Sequence, residues 1–166
     1  MKKKIIILLT AIFFIAVSIT IFILTEPSTK PLYGRFTCIN EDGSVSVITL
    51  GESTIFFKGL EDEVYKSLEK GAAFAMTYDY LKENDLPLDL GDDFGEIQQG
   101  FMADMDFASL YENKEMPITE MQYIESHNAY DYWIDNPLDG SSGIWFWVDL
   151  DRKEMYIGGK VFIFSK

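Results

Sequence analysis

The chain of 166 residues holds one cysteine, Cys38, and one histidine, His127. A single cysteine excludes an intramolecular disulfide, so the fold has to stand on its core alone. A single histidine excludes a multi-histidine zinc site. Cations are scarce beyond the first four residues: residues 26–166 carry 11 Lys+Arg against 27 Asp+Glu, a balance of −16. Such a field repels phosphate backbones and anionic headgroups, which argues against nucleic acid and favours solubility or a basic partner. The chain has no Asn-x-Ser/Thr sequon, no Gly-rich phosphate loop and no Gly-x-Ser-x-Gly elbow. With its lysine-rich start, it fits a bacterial cell-envelope protein. No cofactor or metal is expected.

What is present begins with Lys2, Lys3 and Lys4, followed by an uncharged run from Ile5 to Leu24. Twenty residues make a helix of about 30 Å, enough for the hydrocarbon core of a bilayer. A cleavable signal has a shorter apolar core and a small-x-small site. Phe22, Ile23 and Leu24 fill the positions before Thr25, and Ala16-Val17-Ser18 would leave an apolar stub behind. Residues 1–25 therefore read as an uncleaved transmembrane anchor, with secretion after cleavage as the alternative. The lysine excess before the span puts the N-terminus in the cytoplasm and the rest outside the cell membrane, in a single pass. The membrane is thus a partner through residues 5–25. Residues 26–32 form a stalk in which Pro27 and Pro31 block helix continuation.

Residues 33–166 read as one acidic extracytoplasmic α+β domain. Tyr33–Ile39 alternates, with Phe36 and Cys38 on the inward side; Asp42-Gly43 is hairpin chemistry; residues 44–50 and 54–58 complete a first meander. From Leu60 the apolar spacing turns helical through Val64, Leu68, Ala72, Ala75 and Met76, although residues 72–81 also alternate as a strand would. Asp92 can cap a second helix striped by Phe94, Ile97, Phe101 and Met102. Strand segments return at 116–124, 129–135, 143–150, 154–157 and 160–164, separated by turn residues. The order predicts an antiparallel β-meander or partly closed barrel with a two-helix insertion between two meanders. The opening "LYGRF" resembles the Gly-x-aromatic first strand of small bacterial lipocalin-like domains, a likeness confined to Gly34 and Phe36.

Each candidate site has a plainer structural reading beside it. A Cys38–His127 dyad has the residue types of a nucleophile and base. Cys38 lies on the Phe36 side, however, and His127 sits in a turn, so no catalytic residue is assigned. Asp79, Glu83, Asp85, Asp89, Asp92, Asp93, Glu96, Asp104 and Asp106 crowd one stretch. Aligned on Asp89, a calcium loop fails at Gly91, Phe94 and Gly100, which leaves solvated helix faces. In the second meander, alternation sets Tyr130, Tyr132 and Ile134, with Ile144, Phe146 and Val148, on one face. Asp131, Trp133, Asp135, Trp145, Trp147 and Asp149 then fall on the other. Tryptophans beside aspartates suit a glycan or a cationic peptide. The plainer expectation is that the helices of residues 60–104 pack on this aromatic face and bury at least two of the tryptophans.

The favoured reading is a non-enzymatic binding or assembly module, with the six residues just named as the ligand-binding candidates. A cell-envelope hydrolase using paired carboxylates is one alternative. An acidic partner or inhibitor of a basic protein is the other.

Overall fold

The computed structural model describes residues 29–88, 92–136, 140 and 143–165. The apolar run of residues 5–25 and its orientation lie outside them. Among the described residues, no helix is long and apolar enough to cross a membrane.

Three strands open the domain: β1 (Gly34–Ile39), β2 (Val45–Leu50) and β3 (Thr54–Lys58). The first turn is closed by Asn40, whose carbonyl accepts from the Gly43 amide, and by Asp42, whose carboxylate accepts from the Ser44 amide. Helix α1 (Asp62–Glu83) starts with Asp62 and Glu63 in its first turn, where anions meet the positive end of the helix dipole. It runs unbroken through residues 72–81, so the helical spacing prevails over the competing alternation. Helix α2 (Asp92–Ala103) follows. A third, short helix, α3 (Phe107–Tyr111), was not expected; Asp106 caps it by accepting from the Ser109 amide at 3.0 Å.

The second set comprises β4 (Glu115–Pro117), β5 (Glu120–Ile124), β6 (Ala129–Ile134), β7 (Ile144–Asp149), β8 (Glu154–Ile157) and β9 (Lys160–Ser165). The strands form one sheet in the order β4-β3-β2-β1-β9-β8-β7-β6-β5, with every pairing antiparallel. Residues 116–124, expected as one strand, divide between its two opposite edges. The Ile118 amide donates to the Ser53 carbonyl beside β3, and the next amide, Thr119, donates to Trp133 on β6, each at 2.9 Å. Two adjacent residues can reach both edges only if the sheet curls, and it does so as a half-barrel.

The concave face holds the core. Phe36, Ile48, Phe57, Tyr132, Phe146 and Phe162 are closed off by Val64, Tyr65 and Leu68 of α1 and by Phe107 and Tyr111 of α3. Tyr132 and Phe146 stack with centroids 5.0 Å apart. This corrects the expectation that the helices cover the tryptophans. In β6 and β7 both faces carry large aromatics, so ring size could not choose between them; the curl does, because only a concave face can enclose helices on several sides. The strand phase of β1 is as expected. Cys38 faces the core beside Phe36 but is half-buried, since it stands near the strand end. Tyr130 is likewise only partly covered.

Candidate functional site: an aromatic cleft at the sheet rim

The register of the second meander aligns the outer aromatics. Trp133 pairs with Trp145, Asp131 with Trp147, and Trp147 with Tyr156. The β6–β7 approach depends on Gly143: a Cβ there would lie 2.2 Å from the Ile134 carbonyl oxygen and 2.7 Å from the Asn136 nitrogen. Trp147 and Tyr156 stack face to face with centroids 3.9 Å apart and planes within 3°. Trp133 and Trp147 are half-buried, and Trp145 is 50% exposed.

The aspartates divide by role. Asp131 stands diagonal to Trp145 across the ladder. Burial pushes the Asp131 carboxyl up, while the Trp145 side chain and the charge of His127 pull it back. Asp149 closes the β7–β8 turn by accepting from the Arg152 amide at 2.8 Å, and its other oxygen lies 3.7 Å from the guanidinium. Arg152 donates to the Tyr156 hydroxyl at 3.3 Å, and that hydroxyl donates to Glu154 at 2.5 Å. Asp149 therefore holds the turn that orients Tyr156, at a distance from the cleft. Asp135 is exposed and accepts from the Thr119 hydroxyl at 3.1 Å.

A cleft of about 870 Å³ opens where the rim of β5–β9 meets α1. Trp133, Trp145, Trp147 and Tyr156 line one side, and Gly71, Ala72 and Ala75 of α1 the other. A Cβ on Gly71 would meet nothing within 4 Å, so the helix offers space there. Glu120 and Asp135 add carboxylates, while Lys160, also on the rim, is held 2.9 Å from Glu61.

Of the six expected residues, the structure thus brings four to the cleft, namely the three tryptophans and Asp135, with Asp131 diagonal to Trp145 outside it and Asp149 in the turn. Tyr156, Glu120 and the small residues of α1 were missed. Tyr156 had a signal in the sequence, since the hairpin of residues 149–154 fixes it opposite Trp147. The α1 wall had none. Flat π-faces beside carboxylates can stack on the C–H face of a ring and accept from its hydroxyls. Among the described residues, no group of three or more His, Cys, Asp or Glu side chains could hold a metal ion.

No protein-family model, curated protein or solved structure matches the chain.

Proposed function

We propose that the chain is a membrane-anchored, extracytoplasmic binding module whose rim cleft takes a glycan. The observation that carries this reading is the position of Trp145. It is half-exposed at the mouth of an aromatic-lined cleft, beside Trp133 and Trp147. A side chain that large, left half-exposed beside further aromatics, suits stacking against a sugar ring. Asp135 and Glu120 supply acceptors for ring hydroxyls. The anchor at residues 5–25 rests on the length of the apolar run and the missing cleavage site.

Titration of the full chain with soluble cell-wall glycan fragments tests the cleft. Tryptophan fluorescence should shift on binding, and Trp145→Ala should abolish the shift with little loss of stability. Unchanged binding by that variant would remove the cleft from consideration. Carbonate extraction and N-terminal sequencing test the anchor: the intact chain should stay with membranes, and a mature N-terminus between Ile19 and Pro31 would refute it. Cleavage of the glycan during the titration would select the hydrolase alternative.

A further inference from the structure

A second surface lies on the helical insertion. The apolar stripe of α2 is poorly covered: Phe94, Ile97, Phe101 and Met102 are all only half-buried. Its ring contacts are with the second half of α1, where Phe74 meets Phe94 at 5.3 Å and Tyr80 meets Phe101 at 6.2 Å between centroids. Between those ring pairs Ala73, Thr77 and Leu81 are buried, yet Phe74 is 54% exposed and Tyr78 and Tyr80 are 42% exposed. Leu86 and Leu88, in the segment leaving α1, are exposed as well. Single exposed apolar side chains are ordinary, whereas several gathered on one helix pair mark an interaction surface.

The charge around this surface selects the partner. Asp79, Glu83, Asp85, Asp93, Glu96 and Asp104 are all exposed, and Lys82 is the sole cation between residues 79 and 106. Among the described residues, none of these carboxylates belongs to an ion pair. We propose that the α1–α2 pair is the docking surface for a cationic amphipathic helix of a partner protein. The partner's apolar side chains would lie on the aromatics, and its Lys and Arg side chains over the acidic rim. A second copy of this chain would bring the same anionic rim to the interface, and an anionic bilayer would meet like charge, so neither complements the surface. α2 has 12 residues, so a partner segment of similar length, about 18 Å, spans it. The mode is docking of an amphipathic helix by its apolar face, with electrostatic steering.

The test uses the full chain in neutral-lipid nanodiscs, titrated calorimetrically with a synthetic peptide of Leu and Lys at helical spacing. Empty nanodiscs serve as the blank, and a Leu/Glu peptide of the same spacing as the control. The Leu/Lys peptide should bind and the Leu/Glu peptide should not. Phe74→Ser leaves charge unchanged and should weaken binding about tenfold or more, as loss of an aromatic anchor does. Because a folding defect could mimic that loss, Asp93→Asn with Glu96→Gln provides a second probe at exposed positions, and it should weaken binding and reduce its salt dependence. Trp145→Ala, on the other surface, should have no effect. Equal binding by Phe74→Ser and the parent would reduce the interaction to general charge attraction and overturn the proposal. So would equal binding of both peptides, or a dimer of the chain that dissociates on Phe74→Ser.

Discussion

The rings of Trp147 and Tyr156 are parallel to within 3° at a centroid separation of 3.9 Å, across directly paired positions of β7 and β8. Trp145, two residues away on the same face, has no such stack among the described residues and is half-exposed. The two tryptophans should therefore respond differently to truncation. Trp145→Ala should cost about 1 kcal/mol or less, far below the roughly 3–5 kcal/mol of an enclosed aromatic. Trp147→Ala should cost more, since it loses the stack, worth about 0.5–1.5 kcal/mol, along with its own burial. Chemical unfolding followed by near-UV dichroism measures both. Equal losses would mean that the outer face is covered.

Asp131 should make stability depend on pH in the direction opposite to a salt-bridged aspartate. Its carboxyl is raised in the folded state, chiefly by burial. A raised folded value means that the native state holds the proton more tightly than the unfolded chain does. The resulting stabilisation is complete below the unfolded value of about 3.9 and is lost as pH rises through the folded one. Asp131→Asn keeps the shape of the side chain without a charge to desolvate. It should melt higher than the parent at neutral pH, with the gap closing in acid. A variant that melts lower at neutral pH would show that the charged form is favoured where it stands.

Cys38 should react with a soluble thiol reagent in the native protein, though more slowly than in the unfolded chain. The side chain packs against the core edge and is half-buried, with its sulfur 3.7 Å from the Ile39 carbonyl oxygen. Partial burial slows access without closing it. Complete protection until unfolding would mean that the end of β1 is more enclosed than its geometry indicates.

Period and turn chemistry made most of the fold legible. Alternation in "RFTC" and "IWFWV" set the strand phases, and the spacing of Val64, Leu68 and Ala72 set the helix face that covers the core. Which sheet face the helices take was not legible. Tyr132 and Phe146 on one side equal Trp133 and Trp145 on the other in apolar size, and the curl that separates concave from convex comes from Ile118 and Thr119 reaching opposite edges. That is a long-range closure, invisible to a local pattern. The tryptophans and Asp135 were found at the cleft because a shared face follows from alternation. The opposing wall of Gly71, Ala72 and Ala75 depends on how α1 crosses the rim, and nothing local to α1 encodes that.

Gly158 is where that crossing can be tested. It sits at the tip of the β8–β9 hairpin with φ +56°, and a Cβ there would lie 2.6 Å from Val64 Cγ1 and 2.9 Å from the Val64 carbonyl oxygen. Two penalties therefore meet in Gly158→Ala: a left-handed backbone and an overlap with α1. The first alone is worth roughly 1 kcal/mol or more, and displacing a packed helix adds to it, so a loss of about 2–4 kcal/mol is expected. Val64→Ala removes the side-chain part of the overlap but leaves the carbonyl in place. The double variant should accordingly be more stable than the sum of the two single losses, by roughly 0.5–1 kcal/mol, as contacting residues are when they share one clash. Strict additivity would place the hairpin tip away from α1, and the helical wall of the cleft would go with it.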